Sequence, residues 1–258
     1  MSTGTYSPEP GAAPVGRMIA AQTALETRML LRNGEQLLLT VIIPSLLLVL
    51  FSTVDIIDVT GTGADKAVDF LAPGILALAV LSTAFTGQAI ATGFERRYGV
   101  LKRLGASPLP RWALMTAKTL SVLVTEVLQI VLLTGIALGL GWSPRGNPLS
   151  VLVLLVLGTA AFSGLGLLMA GTLKAEATLA AANLVFLLLL VGGGVIVPLA
   201  KFPDAARAVL ELLPISALSD GLRAVLQDGA ALPWGDALTL AVWAVLGLGA
   251  AARFFRWE

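Results

Sequence analysis

With 258 residues, 57% of them hydrophobic and 13% charged, the chain carries about half the charge density of an ordinary soluble domain. Several uncharged apolar runs reach the roughly 18 residues needed to cross a hydrocarbon core, so a water-soluble fold is excluded and lipid is the solvent. With neither cysteine nor histidine and a net charge of +1, the chain offers no disulfide, no thiolate or imidazole metal centre, no histidine-ligated haem, and no charge-based reason for a nucleic-acid partner.

In chain order, residues 1–16 are rich in Ser, Pro and Gly and lack a charged start followed by an apolar core. They read as a disordered cytoplasmic tail and not as a cleaved signal peptide. Residues 17–33 are compatible with a helix that aligns Met18, Ala21, Leu25 and Met29; Arg28 and Arg32 lie close to that face and would snorkel if the helix lay in the membrane interface. Six spans follow, at about 36–54, 70–93, 113–141, 149–173, 178–200 and 236–254. Period-two alternation is absent, which excludes an outer-membrane barrel and leaves an all-α bundle. Pro44 is expected to kink the first span. The third runs between Trp112 and Trp142, and about 30 helical residues at 1.5 Å each exceed the membrane thickness, so it should tilt or begin in the cytoplasm. Trp112 and Trp142 would mark the two interfaces, as Trp234 and Trp257 would for the last span.

Placing both termini inside puts most of the seventeen Lys and Arg on the cytoplasmic face, including Arg17, Arg28, Arg32, Lys118 and Lys174, while the first outer loop carries Asp55, Asp58, Asp65 and Asp69. That satisfies the positive-inside bias. Residues 208–226 are apolar enough to suggest a seventh crossing. Glu211, Asp220 and Arg223 would each cost roughly 2.5–3.5 kcal/mol at mid-membrane and Pro214 interrupts the helix, so the segment is predicted as a re-entrant or surface-lying helical hairpin on the outer face.

A catalytic reading finds no support. There is no G-x-x-x-x-G-K-S/T phosphate loop, no G-x-S-x-G elbow and no histidine base, so the chain does not hydrolyse ATP by itself. The densest polar element is FERRYGVLKRLGASPLPRW, residues 94–112. Its charges alone fit a plain positive-inside loop. The interleaved Tyr98, Val100, Leu101 and Leu104 fit equally a short amphipathic helix that docks on a partner protein or in the lipid interface. Glu126 and Gln129 share one face of the third span. A carboxylate there is either a substrate-contacting or proton-carrying group or a neutral packing group between helices. Gly135–Gly139, Ala160–Gly164 and Gly166–Ala170 have the spacing of close helix contacts, and Gly192, Gly193 and Gly194 form a flexible or tightly packed point.

The stretch ERRYGVLKRLGASPL, residues 95–109, resembles the coupling-helix segment of ATP-binding-cassette permeases of the ABC-2 type. Their pattern E-x-x-x-G-x-x-K/R-x-L is matched by Glu95, Gly99, Lys102 and Leu104; Arg97 stands where many members have a second acidic residue. A second resemblance covers residues 192–226: a Gly-rich helix end, Pro198, Pro203, an amphipathic helix, Leu-Pro at Pro214, then Asp220-x-x-Arg223. The match is closest in character to small drug-resistance permeases that pair with a separately encoded ATPase. The resemblance implies a single transmembrane domain over residues 17–258, with an interfacial connecting helix at its start. It implies ATPase coupling through Glu95, Arg96, Arg97, Tyr98, Gly99, Leu101, Lys102, Arg103 and Leu104, and a dimer of identical or related permeases lined by spans two and five. The function implied is a multidrug-type exporter subunit in the cytoplasmic membrane moving hydrophobic or amphipathic cargo, with ATP and Mg held by the partner ATPase and no cofactor on this chain. The rival is a proton-coupled secondary transporter using Glu126.

Overall fold

The computed structural model describes residues 11, 13–34, 38–54, 64 and 66–256. Asp55, Asp58, Asp65, Trp257, the start of the first predicted span and most of the predicted tail lie outside the described residues. Every described element is helical. Helix α1 spans Val15–Arg32, and a π-helical turn at Leu38–Ile42 leads into α2, Ile43–Thr53. Pro44 lies just after the π-helical turn within one apolar helical stretch, Thr40–Thr53.

Among the described residues five helices are long and apolar enough to cross a membrane, and Thr40–Thr53, in the first of the six predicted spans, is a shorter apolar helix. The first of the five, Ala67–Arg97, comprises α3 (Ala67–Val80), a π-helical stretch at Leu81–Gly87 and α4 (Gln88–Arg97). Every residue from Phe70 to Ala89 is buried. Small residues allow this: where α7 (Pro148–Thr172) passes, a Cβ on Gly166 would sit 2.8 Å from the carbonyl oxygen of Phe85. The second span is therefore the axis of the bundle and has no face left for the dimer interface that the family resemblance implied. Of the two predicted interface spans, only α8 (Ala175–Gly192) is exposed, with Leu184, Leu187, Leu188 and Val191 on its outer stripe.

Helix α6 (Arg111–Gly139) is inside out relative to a soluble helix. Lys118, Ser121, Thr125, Glu126 and Gln129 are buried, whereas Val124, Val127, Leu128 and Val131 are exposed. That polarity is stable only where the outer medium is apolar. The predicted interfacial role of Trp142 fails: its ring is part of the apolar core, while Trp112 and Trp234 are exposed. Gly135 and Gly139 meet nothing within 4 Å, so that pair faces outward and packs against no other helix of this chain. Gly164 does. A Cβ there would lie 2.5 Å from the backbone of Leu248, which is why α7 and α11 (Trp234–Phe254) pack so closely.

Helix α8 ends at Gly192, eight residues before the predicted end of its span at residue 200. Gly194 adopts φ +69°, a conformation cheap only for glycine, and a Cβ on Gly193 would strike Ile215 at 2.4 Å. The chain then turns through a 3₁₀ turn at Leu199–Lys201 into α9 (Asp204–Leu210) and α10 (Pro214–Leu226). Pro203 caps α9 and Pro214 opens α10, where its fixed φ suits the first turn. The predicted hairpin segment is thus two short helices, of which α10 is largely buried in the bundle and α9 has no buried residue. Leu226 accepts a backbone hydrogen bond from Arg145 in the α6–α7 loop, whereas Leu212, at the other end, accepts one from the indole of Trp243, nine residues into α11. Nine residues at 1.5 Å put that end roughly 13 Å down the bundle, so the hairpin dips inward from its end of the bundle without crossing.

Candidate coupling element and buried polar sites

The basic segment after the second span is built as a reversal. Helix α4 continues the buried axis to Arg97, Gly99 takes φ +67°, and α5 (Val100–Gly105) departs in a new direction. Leu101 anchors α5 in the core at 1% exposure; Tyr98 is 63% exposed and stacks on Phe94 at 6.0 Å. Lys102 and Arg103 are exposed, with Leu104 partly covered. The Arg103 guanidinium donates to the Tyr98 carbonyl at 3.0 Å and so stiffens the turn. Arg96 donates to the Leu173 carbonyl and Arg97 pairs with Glu176, which binds this element to the corner between α7 and α8.

Glu95 points inward. Its carboxylate lies 2.5 Å from Lys118 Nζ, which is also 3.0 Å from Glu26 on α1. One buried cation thus ties α1, α4 and α6 together against two carboxylates. Glu26 was not singled out in the sequence, and Lys118 was read there only as an inner-face charge. The available signal was the polar stripe Lys118, Ser121, Thr125, Gln129 at helical spacing on an otherwise apolar helix.

The two intramembrane polar residues both find partners. Thr159 on α7 donates to Glu126 at 2.6 Å, and Glu126 is 3% exposed with its second oxygen unpaired. Gln129 accepts from Thr83 in the π-helical stretch at 2.8 Å and donates to the Thr40 carbonyl at 2.7 Å. The Gln88 amide and the Thr92 hydroxyl make no hydrogen bond within the protein and border a cavity of about 20 Å³ beside Lys118 and Ser121. Ser82, Thr83 and Thr86 lie in the π-helical stretch, a departure from α-geometry frequent at functional sites, and Gln88 and Thr92 follow it in α4.

Toward the other end, Arg223 of α10 holds three elements at once. Its guanidinium donates to Asp220 at 3.0 Å, to the Val195 carbonyl at 2.9 Å and to the Phe70 carbonyl at 3.2 Å, and lies 3.9 Å from the centre of the Phe70 ring. Burial raises the Asp220 carboxyl above the usual carboxylate range, with Arg223 opposing the shift. Pro198 and Pro203 bracket the 3₁₀ turn, so the residues 192–226 pattern describes one folded unit. Among the described residues no group of His, Cys, Asp and Glu could hold a metal ion.

Compared with known proteins, residues 19–226 match the family described as ABC-2 type transporter. No curated protein matches the chain.

Proposed function

The chain belongs to the ABC-2 type transporter family and is a membrane permease component, not itself catalytic; from this premise we propose that it is the transmembrane subunit of an ATP-driven exporter. Two such subunits, identical or related, would form the pathway and a separate ATPase pair would bind ATP and Mg and drive it. The observation that carries this reading is the placement of the exposed basic turn at Tyr98, Lys102 and Arg103 on the end of the helix that forms the bundle's axis. A partner pressing there would displace the element that packs against α2, α6, α7 and α8. Hydrophobic or amphipathic cargo and a cytoplasmic-membrane location with both termini inside complete the proposal. The apolar outward faces and the clustering of basic residues at the α5 end support them.

The structure selects the variants that test it. Leu101→Asp would place a charge in the core and unfold the anchor, and reversal at Arg96 or Arg97 would break bonds within this chain. Lys102→Glu with Arg103→Glu reverses two exposed charges, and Arg103→Ala, which loses the same bond to the Tyr98 carbonyl without reversing charge, is its control. Co-purification with the co-expressed ATPase should fall sharply while membrane insertion and detergent melting stay unchanged; normal capture and normal transport would overturn the coupling assignment. The alternative, proton coupling through Glu126, draws on its unpaired oxygen. Glu126→Gln keeps an acceptor for Thr159 and removes the titratable group, so an ATP-driven exporter retains transport and a proton-coupled carrier loses it.

A further inference from the structure

Helix α1 packs on the bundle with a mixed outer face, on which Arg28 and Arg32 stand beside apolar residues. Glu26 faces the protein, while Leu25 and Met29 are 51% and 54% exposed. Exposed Leu25 and Met29 beside exposed Arg28 and Arg32 suit a helix lying at the boundary between acyl chains and headgroups. Beside that face, between α1 and α6, runs an open groove of about 810 Å³, within the size range of ligand sites. Its walls are apolar, formed by Ala20, Ala24, Leu31, Leu120 and Val124, and its polar groups are confined to Thr23, Thr27, Arg28 and Arg32 on α1.

Arg28 and Arg32 stand one turn apart on the same side of α1. Neither guanidinium has an ion-pair or hydrogen-bond partner among the described residues, and the buried Thr27 hydroxyl makes no hydrogen bond. The groove is thus amphiphilic: α1 supplies both cations and the Thr23 and Thr27 hydroxyls beside Ala20, Ala24 and Leu31, and α6 supplies hydrocarbon alone. A protein helix would find no matching row of polar partners on the α6 wall.

We infer that this groove is a binding site for an anionic glycerophospholipid, with the phosphate on Arg28 and Arg32, Thr27 near the ester region, and one acyl chain against Leu31, Leu120 and Val124. The bound lipid would brace α1 where Glu26 meets Lys118 and Glu95, beside the basic turn. The role is structural or regulatory and distinct from that of cargo.

The test uses the full-length permease in mild detergent, titrated with phosphatidylglycerol or phosphatidylcholine and read by native mass spectrometry and by melting temperature. Wild type should retain phosphatidylglycerol preferentially and melt higher with it. Arg28→Gln with Arg32→Gln should lose roughly 30-fold in that preference, the scale for two arginines at an anionic surface, with phosphatidylcholine retention unchanged. Ala24→Trp, which fills the groove, should lose both lipids. Both variants alter exposed positions, so their lipid-free melts should match wild type. Equal retention of the two lipids by wild type overturns the inference regardless of the variants, as does a preference that survives both. Either result would mean that the groove is filled by bulk lipid or by a protein partner.

Discussion

Replacing Lys118 with Met keeps the length and apolar stem of the side chain and removes its charge. Glu26 and Glu95 are then left facing one another across a buried space in which the only cation, 3.0 Å from one and 2.5 Å from the other, has gone. Deleting one partner of a buried ion pair costs about 3–5 kcal/mol, because the remaining charge is neither solvated nor paired. For a chain of this size that corresponds to a fall of roughly 6–20 °C in melting temperature. The assay is thermal denaturation of the purified permease, monitored by loss of monodisperse protein. Specificity comes from the triple variant Lys118→Met, Glu26→Gln, Glu95→Gln, which removes all three charges and should recover most of the loss, since a fully neutral cluster has no orphaned ion. If Lys118→Met melts with wild type, or if the triple variant is less stable than the single one, the cluster does not hold α1, α4 and α6 together and the reasoning fails.

Further outcomes follow from the same contacts. Arg223→Lys should destabilise nearly as much as Arg223→Leu, because an ammonium cannot reach Asp220, Val195 and Phe70 together as the planar guanidinium does; full rescue by lysine in a melting assay would refute the three-way clamp. Gly193→Ala should cost about 1–3 kcal/mol through its 2.4 Å clash with Ile215. Gly135→Ala, in open space, should change the melting temperature by less than experimental spread, and a reversal of that order would contradict the packing.

The bundle itself was readable from composition, run length and charge asymmetry, since each follows from the solvent. The hairpin was readable because Glu211, Asp220, Arg223 and Pro214 make a crossing too costly. Which face of each helix turns inward was less legible. In a bilayer both faces of a span are apolar, so periodicity carries little; the small-residue pair at Gly135 and Gly139 looks the same in sequence as the packed Gly164. Polar residues broke the symmetry where they occurred, as on α6. Leu101 and Glu95 read as docking residues because a short motif shows which residues accompany one another, but not which of them point away from the partner. The end of α8 was misplaced because the apolar run continues through Val195, Ile196 and Val197, past the glycines that terminate the helix.

The corner at Leu173 and Glu176, gripped by Arg96 and Arg97, joins two helices of very unequal burial. On one side α7 is wedged against α11 through Gly164 and Gly247; on the other, α8 has only Ala175, Thr178 and Ala182 buried along its 18 residues. A force arriving at the corner is shared according to compliance, and the looser arm takes most of the travel. On the proposed coupling, a stroke delivered to the basic turn would be spent on swinging α8, whose far end abuts Ile215 of the hairpin. In mechanical terms the hairpin would be the output of that linkage, and the α7–α11 pair its fixed frame.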